Sequence, residues 1–410
     1  MKEKLYKPNG ITAKEPRRQN GGSSLKKLDY IDGLKGIGAL MVFFCHFVFA
    51  FYYAAYSLTE DAVNTTSGIE IAIGRTPLNL LYSGNAAVCL FLVFSGFVLC
   101  LSYFRTRDKK RLKAAAWKRY FRLMPMILMV NMAIFILMSL GLYRNDEAAI
   151  LTKSTVWFAG FNQFQPNALQ MLGESLVGCF LFGSNDYNGV LWTMPYLFSG
   201  ALVVYLAAYL VGENPFRYVA YGVMLLVAVK TDVYFSGIFL GFAAADFFCT
   251  REKGMELWKR WWALPMGSFV LGLYLLSYPS IGADMSGTIY GVLPPAYTTI
   301  YHLAGAALLL AGVLGLPGLQ RFFGAKPFRF LGKISYSLYL LHFPVIATFS
   351  CWLFLSLYGK MSYGLLTSLN FVCTLALTLA LSALSQKYLE PVSGRLIHGI
   401  SNLFTGHKKG

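Results

Sequence analysis

The sequence predicts an all-α fold: a polytopic integral membrane bundle of about ten transmembrane helices, with both termini in the cytoplasm. Composition is the first observation behind this prediction. The 410 residues are 56% hydrophobic and only 13% charged, and the mean hydropathy is +0.52. A soluble domain cannot bury so large an apolar fraction, whereas helices surrounded by lipid expose theirs favourably.

Runs of about 20 apolar residues, each long enough to cross the hydrocarbon core, are the second observation. Ten such runs follow one another along the chain. The fifth and sixth are the least regular, because the fifth is short and Lys230–Asp232 must form the turn between them. The predicted spans are 34–55, 84–104, 121–141, 191–211, 217–230, 233–249, 261–278, 298–316, 334–355 and 364–385.

The distribution of Lys and Arg is the third observation. If the N-terminus is cytoplasmic, 31 of the 36 basic residues fall in segments on the cytoplasmic side. This asymmetry follows the positive-inside rule, so the net charge of +17 marks topology and contact with anionic membrane lipids. A nucleic-acid partner is not predicted. The five basic residues on the outer side are Arg75, Arg144, Lys153, Lys230 and Lys360.

The chain divides into three parts. Residues 28–392 form the predicted transmembrane domain. Residues 1–27 are polar, basic and rich in Gly, Pro and Ser, which predicts a disordered cytoplasmic tail, and we expect no cleavable signal peptide before the first span. Residues 393–410 are predicted to be a basic amphipathic cytoplasmic tail on the inner leaflet. The seven cysteines lie mostly in apolar runs without a CxxC pair, so neither a disulfide framework nor a metal site is predicted.

One histidine lies in the middle of the first apolar helix. His46 follows Lys35 by eleven residues, which places both side chains on one face, about 16 Å apart along the axis. An ionisable group at that depth is energetically costly and is usually retained for function. An imidazole can take a proton from a hydroxyl near neutral pH. A histidine that only packs against a neighbouring helix is the alternative.

Two arginines lie at the inner mouth of the third span. Arg119 and Arg122 are three residues apart and therefore share a helix face. Guanidinium groups bind phosphates in bidentate geometry. Anchoring at the cytoplasmic surface explains the Lys109–Lys113 run well. It explains Arg119 and Arg122 less well, because the helix is already apolar where they lie.

Polar side chains in the ninth and fourth spans form two further candidates. Ser335, Tyr339 and His342 follow one another at i, i+4 and i+7, so they line one face, which should look into the bundle. The same stripe is consistent with helix–helix hydrogen bonding alone. Trp192 lies in the Gly189–Tyr196 segment, whose proline and aromatic residues predict a broken or tilted start of the fourth span.

In this order, these residues resemble acyltransferase family 3, the integral membrane enzymes that O-acetylate sugars of the cell envelope. The resemblance covers roughly residues 28–392. It is carried by Asp32-Gly33-Leu34-Lys35 with His46, Arg119-x-x-Arg122-x-x-Pro125, Leu191-Trp192-Thr193, Ser335-Tyr336-x-x-Tyr339-x-x-His342-x-Pro344 and Tyr388-Leu389-Glu390-Pro391.

The resemblance implies an acyltransferase of the plasma membrane that takes acyl-CoA from the cytoplasm as donor, acetyl-CoA being expected, and holds no permanently bound cofactor. A hydroxyl of a carbohydrate or lipid-linked glycan outside the membrane would accept the acyl group. His46 would be the catalytic base, paired with Lys35. The coenzyme would be held by Arg119 and Arg122, and the substrate-binding residues would be Trp192, Ser335, Tyr339 and His342, the last of which would orient the acceptor or polarise the thioester carbonyl.

Two positions depart from the family's pattern. Lys35 stands where the family usually has arginine, which keeps the charge but loses the planar fork. Leu197 stands where a glutamate is common, so another acid, Glu174 or Asp186, would have to replace that carboxylate. A diverged, non-catalytic member is therefore one alternative. A secondary transporter is the other, although such transporters often show two related halves and this sequence shows no repeat.

Overall fold

A computed structural model describes residues 28–65, 67–280 and 284–405 of the chain. The predicted tail 1–27 and the last residues of the predicted tail 393–410 lie outside this range. The described residues form helices and their connections, with no β-strand among them.

Thirteen principal helices follow one another along the described chain. Shorter helices (Tyr53–Ser57, Ile69–Gly74, Asn145–Thr152 and Pro317–Phe323) lie in the connections. The principal helices are α1 (Asp29–Phe51), α2 (Gly84–Thr106), α3 (Lys109–Ser139), α4 (Ala168–Leu181), α5 (Gly189–Val211), α6 (Arg217–Thr231), α7 (Tyr234–Thr250), α8 (Glu252–Arg260), α9 (Ala263–Leu276), α10 (Pro295–Gly315), α11 (Lys326–Leu357), α12 (Tyr363–Tyr388) and α13 (Glu390–Thr405).

Each of the ten predicted spans coincides with one of these helices. In the described part of the chain, seven helices are long and apolar enough to cross a membrane: α1, α2, α3, α5, α10, α11, and α12 together with the start of α13. The remaining predicted spans correspond to α6, α7 and α9, which have 15, 17 and 14 residues. At 1.5 Å per residue these three reach only about 21–26 Å, short of a hydrocarbon core of about 30 Å. The helical membrane fold is confirmed, and the count of ten stays a prediction.

The bundle has two chemically different ends. The long connections meet at what we call the loop end, where the side-chain amide of Asn64 donates to the Thr152 carbonyl at 2.8 Å. The opposite end, where α1 begins, we call the basic end. There Arg329 pairs with Asp29 at 3.2 Å, and Arg217 pairs with the buried Asp246. The predicted topology places the basic end on the cytoplasmic side of the membrane.

Helices α1 and α11 run in the same direction and pack closely at the basic end. A Cβ atom on Gly36 would lie 2.5 Å from the backbone nitrogen of Gly332, and one on Gly332 would lie 2.3 Å from the Asp32 carbonyl oxygen. Only glycine fits at such separations, because real Cβ atoms do not approach backbone atoms this closely. The glycines therefore set the distance between the two helices that carry most of the candidate residues.

The first turn of α5 has the irregular geometry expected from its sequence. Residues Gly189–Thr193 form a 3₁₀ turn, and the α-helix proper begins at Met194 with Pro195 in its first turn. Proline is tolerated there because the first-turn N–H groups have no partner within the helix. The broken start predicted for this span is therefore confirmed.

Candidate functional site

A cavity of about 530 Å³ opens between α1, α2, α3, α5, α11 and α13 at the basic end. Among the described residues that line it, five carry positive charge and two carry carboxylates, so the cavity attracts anions. The cations are Lys35, Lys118, Arg119, Arg122 and Lys333, and the acids are Asp32 and Glu390.

Arg119 and Arg122 both line this cavity, as their spacing of three residues predicts. The Arg119 guanidinium is held in place by α5: its Nε and Nη2 atoms donate to the Leu197 carbonyl at 3.0 and 2.9 Å. This contact uses two of the five N–H donors of Arg119, and Arg119 itself lines the cavity. The Leu197 side chain lines the same cavity, so the position at which the family often has glutamate lies beside Arg119.

Tyr339 marks the part of the cavity nearest the middle of the bundle. Its hydroxyl donates to the Val190 carbonyl at 2.8 Å and lies 2.9 Å from the hydroxyl of Thr193. Its ring is 5.7 Å from that of Phe91, another lining residue, and 6.1 Å from that of His342. The cavity thus extends from the basic end to Tyr339, whose ring lies next to that of His342.

His46 and His342 are in direct contact, and we call them the histidine pair. Nδ1 of His46 lies 3.0 Å from Nε2 of His342. The same Nδ1 is 3.0 Å from the Val42 carbonyl, and Nδ1 of His342 is 3.1 Å from the Leu338 carbonyl. The His342 side chain is fully buried at 0% exposure, whereas His46 is partly exposed.

Aromatic rings cover the histidine pair on its other sides. Trp157 and Phe343 lie 5.5 and 5.6 Å from the His46 ring, and Phe49 packs against Trp157. Trp157 comes from the long connection between α3 and α4, so a segment of the loop end reaches down to the pair. The surroundings of His46 are thus apolar and aromatic rather than charged.

Trp192 lies in a separate group at the loop end. Its ring is 5.2 Å from that of Tyr234 and 6.0 Å from that of Tyr196, and we call these three residues the aromatic cluster. The Tyr196 hydroxyl donates to Asp232 at 2.8 Å, and the Tyr234 hydroxyl donates to the side-chain oxygen of Asn85 at 2.7 Å. Aromatic faces edged by polar groups are thereby brought together where α2, α5 and α7 begin.

The two acids that stand near Leu197 in sequence have other partners. Glu174 is buried, accepts from the side-chain amide of Asn131 at 3.1 Å and from the backbone N–H of Tyr187 at 3.2 Å, and fixes the connection before α5. Asp186 accepts from the side-chain amide of Gln170 at 3.2 Å on the surface. Neither acid is among the described residues that line the cavity.

The structure therefore gathers the predicted residues into three groups. Lys35, Arg119, Arg122, Ser335 and Tyr339 line the cavity, His46 and His342 form a pair, and Trp192 lies in the aromatic cluster. Three residues of the site were not predicted from the sequence. Lys333 and Glu390 lie inside motifs that were recognised, so a helical-face count would have found them. Phe91 carries no local signal, because only the packing of distant segments places it there.

Comparison with known proteins gives a consistent result. A family model described as an acyltransferase domain matches residues 28–386. The chain is 25% identical over 374 residues to O-acetyltransferase PaAT-1 of Phomopsis amygdali, which covers 79% of this chain and 73% of that protein. It is 24% identical over 404 residues to acyltransferase R4 of Phoma sp., which covers 82% and 86% respectively.

A bacterial relative has a similar degree of identity. Acyltransferase MdmB of Streptomyces mycarofaciens is 25% identical over 346 residues, covering 78% of this chain and 79% of that protein. No solved structure matches the chain significantly.

Proposed function

The chain belongs to the acyltransferase family whose domain model spans residues 28–386, and from this premise we propose that it carries an acyl group across a membrane. The donor is cytoplasmic acyl-CoA, with acetyl-CoA as the favoured form because one relative is named an O-acetyltransferase. The acceptor is a hydroxyl of a carbohydrate or lipid-linked glycan on the other side, and the membrane is the plasma membrane. The observation that carries the proposal is the cationic cavity ending beside the histidine pair.

The donor binds with its phosphates at the basic end. Arg122, Lys118 and Lys333 line the cavity mouth together with the fixed guanidinium of Arg119, and this set matches the several negative charges of coenzyme A. The pantetheine arm, roughly 15–20 Å long, then runs toward Tyr339. The helical rise of about 16 Å between Lys35 and His46 is of the same length. The thioester carbon is thereby delivered near the histidine pair.

The acceptor approaches from the loop end. The aromatic cluster offers ring faces for a sugar or another ring, and Asn85 and Asp232 offer polar groups at its edge. Trp157, whose ring lies 5.5 Å from that of His46, offers a further aromatic face beside the base. Aromatic residues with one wet edge favour such interfacial positions.

His46 then acts as general base. It removes the proton of the acceptor hydroxyl while the hydroxyl oxygen attacks the thioester carbonyl, forming a tetrahedral intermediate. The C–S bond of that intermediate breaks, the new ester leaves with the acceptor, and the thiolate of coenzyme A takes the proton from His46. The histidine returns to its neutral state, and the reaction consumes no further reagent.

The experiment is a transfer assay on the full chain in membrane vesicles, using radiolabelled acetyl-CoA. We measure the free thiol of released coenzyme A and the label in alkali-labile esters. His46→Gln and His46→Ala are expected to lose transfer by at least a factor of about 100, because general base catalysis contributes about 10²–10⁴.

His398 provides a histidine control. It lies on α13 with its side chain exposed, and it is not among the described residues that line the cavity. His398→Gln is expected to keep most of the transfer activity in protein that elutes as a single species in size-exclusion chromatography. Wild-type activity in folded His46→Gln would refute the assignment of the base.

A further inference from the structure

The histidine pair contains one residue that the proposed reaction does not use directly. We propose that His342 is a positioning residue: it holds His46 in the tautomer with the proton on Nδ1, so that Nε2 of His46 is the atom that accepts the substrate proton. This inference rests on the proposed function, in which His46 is the base. It assigns to His342 a role different from contact with either substrate.

The hydrogen-bond partners of the two rings fix the positions of their protons. The Leu338 carbonyl can only accept, so the Nδ1 atom of His342 that lies 3.1 Å from it must donate. A neutral imidazole has a single N–H, and Nε2 of His342 therefore carries a lone pair. That lone pair faces Nδ1 of His46 at 3.0 Å, and the bond is made only if Nδ1 of His46 carries the proton.

A second hydrogen-bond acceptor, the Val42 carbonyl, independently requires the same tautomer of His46. The Val42 carbonyl lies 3.0 Å from Nδ1 of His46 and also can only accept. Both neighbours thus favour the Nδ1–H form. The described residues provide no hydrogen-bond partner for Nε2 of His46, and the side chain is partly exposed, so this atom is left with its lone pair for an incoming hydroxyl.

The same bond stabilises the charged form of the base during the reaction. When Nε2 of His46 takes the proton of the acceptor hydroxyl, the ring becomes an imidazolium that carries a proton on each nitrogen. Its Nδ1–H still donates to the lone pair of His342, which is a better acceptor for a cation than the surrounding aromatic rings. His342 neither gains nor loses a proton, and the proton on Nε2 leaves with the thiolate of coenzyme A.

The packing of α1 against α11 places the two imidazole rings at the same height along the helix axes. Gly36 and Gly332 touch at the basic end, and the histidines lie ten residues further along each helix. Gly332, Ser335, Tyr339 and His342 follow the spacing i, i+3, i+7 and i+10, which forms one continuous face of α11. Because the offset is the same on both helices, the glycine contact sets the register that brings the histidines together.

Direct contact of His342 with a substrate fits these observations less well. Its ring is fully buried, and each of its nitrogens already has a partner. Contact with the acceptor or with the thioester would require one of those bonds to break. The structure thus favours an action through His46.

The test compares two replacements of similar size. The side-chain carbonyl of His342→Gln can still accept from Nδ1–H of His46, whereas His342→Leu offers no acceptor. In the vesicle assay, His342→Leu is expected to lower kcat at least about tenfold, with the KM for acetyl-CoA changed less than about twofold. His342→Gln is expected to recover at least about a third of the lost kcat. A residue that only filled space would show no such recovery.

A spectroscopic measurement reports the tautomer itself. The chain has five histidines, so solid-state NMR of protein labelled with ¹³C,¹⁵N-histidine gives few signals, and those of His46 are identified by their absence in His46→Gln. We expect the chemical shifts of the Nδ1–H tautomer for His46 in the wild type. In His342→Leu we expect a mixture that includes the Nε2–H tautomer.

The outcomes separate this inference from the proposed function. Inactive His46→Gln together with full kcat in His342→Leu, or with an Nε2–H tautomer of wild-type His46, would overturn the positioning role and leave the base intact. Active His46→Gln would refute the proposed function itself. If His342→Leu fails to fold, an active His342→Gln with the Nδ1–H tautomer supports the role, and an inactive one overturns it.

Discussion

The two ends of the α1–α11 helix pair present opposite chemistry along a single axis. At the basic end, the glycines bring the backbones together and the adjoining cavity is lined by five cations among the described residues. Toward the loop end, the neighbours of His46 and Trp192 are aromatic rings and uncharged or hydrogen-bonded polar groups. One end is suited to a highly charged ligand and the other to a hydroxylated ring.

This difference explains why the histidine pair lies between the two ends. Charges placed deeper in the bundle would be costly, so the lysines and arginines of the cavity remain near the basic end, and the side chains beyond Tyr339 are the two histidines and aromatic rings. In the proposed function, each substrate would contact the surface that matches it, and both would reach the histidine pair without crossing the other's site. The comparison predicts that substitutions at the two ends affect different kinetic constants.

The largest effect is expected where the close contact between α1 and α11 is disturbed. Gly36→Leu places a side chain where a Cβ atom would already lie 2.5 Å from the backbone of α11, so the two helices must separate. Overpacking costs about 1–3 kcal/mol even where neighbours can move, and backbone atoms cannot. We expect the variant to lose transfer activity and no longer to elute as a single species in size-exclusion chromatography.

Gly222→Leu is the matched control for this substitution. Gly222 also lies within a helix, α6, but nothing comes within 4 Å of a Cβ atom built there. It is expected to keep the wild-type elution profile and activity. Equal behaviour of the two variants would mean that the close approach of α1 and α11 does not set the geometry of the site.

The next effect concerns the donor alone. Arg122→Gln removes a cation from the cavity and is expected to raise the KM for acetyl-CoA at least about tenfold, since hydrogen bonds to charged groups contribute about 1.5–3 kcal/mol. Initial rates of coenzyme A release at varied acetyl-CoA measure this. Arg144→Gln makes the same change at the loop end, where Arg144 pairs with Glu147 on the surface, and should leave the KM unchanged. A similar rise in both variants would indicate a general effect of charge.

The corresponding effect at the loop end concerns binding of the acyl acceptor. Trp192→Ala removes one of the three rings of the aromatic cluster and is expected to lower ester labelling several-fold without changing the KM for acetyl-CoA. Trp352→Ala is the control, because Trp352 lies on α11 with 53% of its surface exposed. If Trp192→Ala instead altered donor binding, the separation of the two ends into two binding surfaces would be wrong.

Properties that reside in a single segment were predicted well from the sequence. Apolar length identified ten of the thirteen principal helices in the described part of the chain, though neither α4 nor α8. The three-residue spacing of Arg119 and Arg122 predicted their shared face, because such a signal is complete within one helix. Irregularity was recognisable in part, since the fifth and sixth predicted spans correspond to the short helices α6 and α7, whereas the still shorter α9 was predicted as a regular span.

The contacts that define the site could not be predicted in this way. The histidine pair joins residues 296 positions apart, and its existence depends on the register between α1 and α11. That register is set by the glycines Gly36 and Gly332, whose role is recognisable only once both backbones are placed. Trp157 reaches His46 from a connection that carries no periodic pattern. Sequence spacing therefore identified the faces, and packing determined which faces meet.

The smallest effect is expected for Lys35→Arg, at the cavity residue where the family usually has arginine. Lys35→Arg keeps the positive charge and adds a planar fork of donors, so kcat and the KM for acetyl-CoA should both stay within about threefold of the wild type. Lys35→Met retains the length of the side chain without the charge, and we expect a rise in KM of about tenfold. Comparison of the two Lys35 variants in the same assay of coenzyme A release distinguishes the effect of charge from the effect of side-chain geometry. If Lys35→Arg were as impaired as Lys35→Met, the cavity would select for the shape of the lysine ammonium, and attraction between opposite charges would not account for donor binding at the basic end.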